Sequence, residues 1–123
     1  AMSRQSRRRA NAFGRHAEAL CAWHLRLTGW RIVARDFRTA VGEIDIAARR
    51  GRILAVIEVK ARPNLGSAGA AVSRRQQRRI ANAALRLLQA KPALAGLDLR
   101  FDAMLVRPWR WPLHLTDAWR PDA

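Results

Sequence analysis

Residues 42–60 decide the fold: Gly42-Glu43-Ile44-Asp45-Ile46-Ala47-Ala48-Arg49-Arg50-Gly51-Arg52-Ile53-Leu54-Ala55-Val56-Ile57-Glu58-Val59-Lys60. Up to Ala47, apolar residues alternate with two carboxylates, the pattern of a half-buried strand carrying acid on its second face. From Ile53 the chain is almost continuously apolar until its last three residues, as in a central strand covered on both faces. Arg50-Gly51-Arg52 is the turn between them. Glu58 and Lys60 are two apart and share a face, and so do Glu43 and Asp45. A two-residue loop puts Asp45 on the same face as Glu58, directly opposite or one pair removed, with Cβ atoms roughly 5–8 Å apart. A three-residue loop would send them to opposite faces and leave no site.

Ahead of this hairpin, Trp30, Ile32 and Ala34 alternate with Arg31, Val33 and Arg35 in a strand running to about Arg38. Phe13, Ala17, Leu20, His24 and Leu27 recur at helical spacing, with Gly29 as the stop, which predicts a helix over about 13–28. Residues 1–10 lack an apolar period and read as a flexible basic arm ahead of a single domain spanning 11–120. After the hairpin, Pro63 to Gly69 reads as a loop, and Ser73 with Gln76 forms a capping-box pattern. Ile80, Ala84, Leu87 and Leu88 carry that helix to Lys91-Pro92. Leu97 to Leu105 alternates as a fourth strand, and a short fifth falls at about Leu113 to Ala118. The order of helix, three strands, helix and two strands predicts an α/β fold: a mixed central sheet flanked by helices.

The chain has 123 residues, with 24 Lys+Arg against 9 Asp+Glu, so its formal charge is 24 − 9 = +15. A body this small with that charge is built for a polyanion, because self-repulsion destabilises the compact state. Nucleic acid is the first candidate partner and an anionic membrane surface the competing one. No uninterrupted apolar run exceeds five residues, so no membrane span is expected; no secretory leader is visible, and the cytoplasm is the expected location. The single cysteine, Cys21, rules out an intramolecular disulfide and a cysteine-based zinc site. Only Lys60 and Lys91 are lysine among the 24 basic residues, which makes a lysine beside Glu58 conspicuous.

Two carboxylates at the end of a mostly buried sheet repel each other and lose hydration. They can share a proton, take an arginine, or bind a hard divalent cation. Oxygen ligands suit Mg²⁺ or Mn²⁺, which need only one or two protein carboxylates. A lysine beside such a site can shift its pKa and orient a water, whereas an arginine stays charged.

An Asp on one strand with Glu-x-Lys on the next resembles the PD-(D/E)xK nuclease core. Several ordered motifs extend the likeness: Phe13-Gly14-Arg15-His16-Ala17-Glu18, Asp36-Phe37-Arg38, Gly42 to Ala47, Val56 to Arg62, Arg100-Phe101-Asp102 and His114 to Trp119. They resemble the YraN-type family of bacterial proteins over about residues 13–119. The resemblance implies a restriction-endonuclease-like fold related to archaeal Holliday junction resolvases. It implies Asp45 and Glu58 as metal-binding acids, Glu18 on the first helix as a further metal ligand, and Lys60 as the catalytic lysine. The chain departs from the family pattern at Gln76, where a basic residue is common; a glutamine there still suits a water or a phosphate. By analogy with resolvases, a homodimer is expected.

These features predict an Mg²⁺- or Mn²⁺-dependent nuclease acting on DNA, structure-selective rather than sequence-specific. The competing reading is a non-catalytic nucleic-acid-binding protein that retains the fold. Arg74, Arg75, Arg78 and Arg79, with Gln76, open the second helix where phosphates bind well. Arg7, Arg8, Arg9 and Arg62 add basic contacts that follow a backbone without reading sequence. Each has a plainer role to set against it: Arg74 to Arg79 as a solvated helix face, Glu18 as a solvated helix acid, Asp45, Glu58 and Lys60 as a structural ion-pair cluster. Glu43 is expected to pair with an arginine, and His24 to sit half in the core. The five tryptophans read as core or interface, although Trp109-Arg110-Trp111 beside Arg107 offers a base-stacking surface.

Overall fold

The architecture was obtained as a computed structural model, which describes residues 4–61 and 72–121, with side chains over 15–61 and 72–121. The elements are α1 (Arg4–Leu27), β1 (Arg31–Thr39), β2 (Gly42–Arg50), β3 (Ile53–Ala61), α2 (Arg74–Ala90), a 3-10 turn (Pro92–Leu94), β4 (Asp98–Val106) and β5 (Leu113–Leu115). The five strands form one sheet in the order β1-β2-β3-β4-β5. β3 and β4 are parallel and every other neighbouring pair is antiparallel. The sheet is mixed, with a helix on each face, as the sequence predicts.

α1 begins at Arg4, nine residues ahead of the first apolar position of its pattern and inside the expected arm. The side chains of Arg7, Arg8 and Arg9, all of Arg62 and the Pro63–Gly69 loop lie outside the described residues. The buried stripe of α1 is Ala17, Cys21, Ala22 and Leu25, while Leu27 is exposed, so the helix is rotated from the expected seam. Its end is a Schellman motif: Trp30 N–H bonds Leu25 O at 2.9 Å and Gly29 N–H bonds Arg26 O at 3.2 Å. Gly29 adopts φ +92°, which explains why a glycine stands there. Trp30 and Leu25 then enter the same core.

The β2–β3 hairpin loop contains Gly51 and Arg52, flanked by the pair Arg50↔Ile53. Gly51 takes φ +59°, the conformation a two-residue hairpin turn requires. β3 alternates between two cores: Ala55 and Ile57 pack under α1, Leu54 and Val56 under α2. The continuous apolar run is thus the central strand. α2 opens with the predicted capping box, in which Gln76 N–H bonds Ser73 Oγ at 3.1 Å and Ser73 N–H bonds Gln76 Oε1 at 3.3 Å.

Two features depart from simple strand periodicity. Ile44 packs on the α2 side and Ile46 on the α1 side, although residues two apart in a flat strand share a face. The change of face happens between the pairs Arg35↔Ile46 and Phe37↔Ile44, at Asp36 and Asp45, and Asp36 has φ +47°. β5 is shorter than expected because Asp117 turns to φ +51° and gives its N–H to Asp102 Oδ1 at 2.9 Å instead of extending the strand.

Gly42 sets the distance of α2 from the sheet, because a Cβ there would overlap the Arg79 carbonyl. Gly42→Ala is expected to push α2 outward and destabilise the protein by about 1–3 kcal/mol. Urea unfolding measures this; a midpoint unchanged from wild type would contradict the close helix–strand approach.

Candidate metal centre and nucleic-acid interface

The two-residue loop has the consequence foreseen for it. Ile46 pairs with Ile57, which leaves Asp45 and Glu58 as the next positions outward. Asp45 Oδ2 accepts the Val59 N–H at 2.9 Å, which ties the end of β2 to β3. Asp45 and Glu58 line one cleft together with Glu43, Gln76, Arg79 and Ile80, a cavity of about 110 Å³ between the strand ends and α2. That volume holds roughly three or four waters.

The charges in the cleft are unevenly matched. Lys60 Nζ lies 3.3 Å from Glu58 Oε1, and both side chains are mostly buried. Arg79 pairs with Glu43 at 3.1 Å, the arginine partner expected for that acid. Among the described residues Asp45 takes one hydrogen bond, from the Val59 N–H, and its pKa is raised to about 7. Burial is the main cause, the Glu58 charge adds to it, and the backbone hydrogen bond opposes both. Of the three ways to relieve the carboxylate pair, an arginine on Asp45 is not seen among the described residues. A proton and a cation remain.

Among the described residues, no three Asp, Glu, His or Cys side chains gather as a metal cage. Mg²⁺ does not need one, because waters and substrate phosphates complete its shell around one or two carboxylates. Asp45 and Glu58 match that count, and a cation would offset both the burial and the Glu58 charge that raise the Asp45 pKa. Glu18 is not among the residues lining the cleft. It sits on α1, 3.5 Å from Arg35 Nε, and burial raises its pKa. Its charge still reaches Asp45, and both acids, after burial itself, push the buried Cys21 thiol up to about 12. That thiol is inert.

On α2, Arg74, Arg75, Gln76 and Arg78 are exposed, while Arg79 is held by Glu43. The expected cluster of four arginines is therefore three free to meet a phosphate and one anchored at the cleft. Gln76 spends its Oε1 on the cap and lines the cleft with the acids.

The spacing patterns do not reveal the most complete polar cluster. Asp102 is fully buried, with Arg100 Nε and Nη2 each 2.9 Å from its two oxygens and His114 Nε2 2.7 Å from Oδ2. Burial alone would raise its pKa, but the hydrogen bonds from His114, Arg100 and the Asp117 N–H together bring it down. The signal was present: a strand parallel to a doubly covered strand is covered on both faces itself, so a carboxylate in it needs partners. Among the tryptophans, Trp30 is buried and Trp119 stacks on Phe101 at 4.3 Å, whereas Trp23, Trp109 and Trp111 are exposed and belong to no core.

A five-stranded mixed sheet between two helices, with an acid pair and a lysine at the strand ends, is consistent with a restriction-endonuclease-like core. The chain belongs to the uncharacterised protein family UPF0102, whose model matches residues 17–106. It is 54% identical to a UPF0102 protein of Parvibaculum lavamentivorans, over 91% of this chain and 84% of the relative. It is 51% identical to one from Chelativorans sp., over 94% and 93% of the two chains. A third, from Nitrobacter winogradskyi, is 52% identical over 85% of this chain and 89% of its own. The matched span contains Glu18, Asp45, Glu58, Lys60, Gln76 and Asp102 and ends before His114. No helix among the described residues is long and apolar enough to cross a membrane.

Proposed function

We propose that this protein is a metal-dependent nuclease that hydrolyses phosphodiester bonds in DNA, selecting structure rather than sequence. The observation that carries the proposal is the convergence of Asp45 and Glu58 in one cleft with Lys60 paired to Glu58. When bound, Mg²⁺ or Mn²⁺ supplies Lewis-acid charge at the phosphate and makes water a better nucleophile. Asp45 and Glu58 would hold it. Lys60 Nζ donates toward the oxygen that gathers negative charge and steers the attacking water. The Gln76 amide orients water or a phosphate oxygen, and Arg74, Arg75 and Arg78 grip the neighbouring backbone.

Calorimetric titration with Mn²⁺ tests the reading. The wild-type protein is expected to bind the ion, and Asp45→Asn and Glu58→Gln are each expected to lose it. Binding that survives both changes, or never appears, would remove the enzyme and leave a non-catalytic nucleic-acid-binding protein. Salt-dependent DNA binding without cleavage of linear, nicked, flapped or four-way DNA would establish it.

A further inference from the structure

The turn that leaves β4 holds two tryptophans in water. Glu58 is aligned with Ala103, Lys60 with Leu105 and Ala61 with Val106, so β3 and β4 finish side by side. Residues 107–112 continue from the end of the sheet that carries Glu58 and Lys60. At about 4.8 Å between strands and 3.3 Å per residue, Trp109 stands within roughly 15 Å of Lys60.

Trp109 is fully exposed and has φ +61°, a left-handed conformation that a bulky side chain rarely adopts. An unburied indole and a strained backbone fall on the same residue, which points to a function outside the fold. Trp111 is 59% exposed and leans on His24 of α1, with 5.7 Å between ring centroids, which anchors the turn. Arg110 is exposed between the two indoles, and Arg107 at the base of the turn keeps a buried Nε without a partner among the described residues.

Exposed indoles beside arginines suit an apolar protein, a lipid interface or a nucleobase. The charge of +15 selects a polyanion, and the position of the turn at the end of the sheet that carries Glu58 and Lys60 selects nucleic acid. Bases within a duplex hide their faces in the stack, so indoles are open only to unpaired ones. We propose that the Trp109-Arg110-Trp111 turn is a stacking platform for unpaired bases of the strand whose phosphate enters the Asp45–Glu58 cleft. The substrate is then nucleic acid with single-stranded character next to the scissile bond. The proposal rests on the nuclease reading and narrows its substrate class.

Fluorescence anisotropy in EDTA tests it with three probes: a short oligothymidylate, a blunt duplex of equal length and an abasic oligonucleotide. Trp109→Ala is expected to weaken the oligothymidylate complex roughly tenfold or more and to leave the other two unchanged. Trp109→Phe is expected to restore most of the loss. No effect on oligothymidylate, or equal weakening on all three probes, would overturn the platform while nucleic-acid binding stands. Failure of the wild-type protein to bind any of the three would remove the nuclease reading as well. Loss of a dimer in sedimentation, or of binding to phosphatidylserine vesicles, with oligothymidylate affinity intact, would reassign the turn to a second copy or a lipid surface.

Discussion

Asp45→Asn is expected to abolish cleavage, with a loss of at least about a thousandfold, and at the same time to make the metal-free protein more stable. The catalytic loss follows from removing one of the two carboxylates proposed to hold the ion, because the other acid lining the cleft, Glu43, is paired with Arg79. The gain in stability follows from linkage. Asp45 is raised from 3.8 to about 7 in the fold, so between those values the folded state holds more protons than the unfolded state. Wild-type stability therefore falls as pH rises through that window. Asparagine cannot ionise, and its carbonyl oxygen can still accept the Val59 N–H. Its advantage grows from about pH 4 and levels off above pH 7, reaching on the order of 1 kcal/mol or more. Urea midpoints in EDTA at pH 5 and pH 8 measure it. Equal midpoints for variant and wild type at both values would show that Asp45 is not held buried beside Glu58. Lys60→Ala separates the two functions proposed for the cleft: cleavage is expected to fall about a hundredfold to ten-thousandfold while Mn²⁺ binding persists.

The second large effect is purely structural. Asp102→Ala is expected to cost about 3–5 kcal/mol, because it leaves the mostly buried Arg100 fork without its counter-charge and His114 without its hydrogen-bond partner. It also frees the Asp117 N–H that stops β5 and ties down the C-terminal segment. The folded pKa of Asp102 lies below its ordinary value of 3.8. The stability it contributes is thus fully present above that value and is lost as pH falls through the folded pKa, on the acid side of about pH 4. Trp30, 5.5 Å from the Arg100 guanidinium and 5.8 Å from the His114 ring, reports the loss through its fluorescence. An unfolding free energy within 1 kcal/mol of wild type would mean that the network is not the latch that its geometry implies.

The two acidic clusters differ in how far local sequence reveals them. Asp45 and Glu58 could be placed together because strand alternation has a period of two and Gly51 sits where a short hairpin needs a positive φ. Both are properties of a few neighbouring residues. Gly29 and the Ser73–Gln76 box mark helix ends for the same reason. Asp102 could not be seen in this way. Its partners come from β4, β5 and the residue after them, and only the pairing of β4 with β5 brings His114 within 2.7 Å.

The amino-acid order by itself determined the sequence of helices and strands, the two-residue turn, the basic excess and the pairing of one acid with another across adjacent strands. Tertiary structure alone decided the face change at Asp36 and Asp45, the rotation of α1 that exposes Leu27, the capture of Arg79 by Glu43 and the release of Trp109 into water. Hydrogen-bonded turns and side-chain alternation act over a few residues and leave a trace in composition. Burial and charge neutralisation depend on what a distant element brings to the same point in space, and no stretch of chain records that alone.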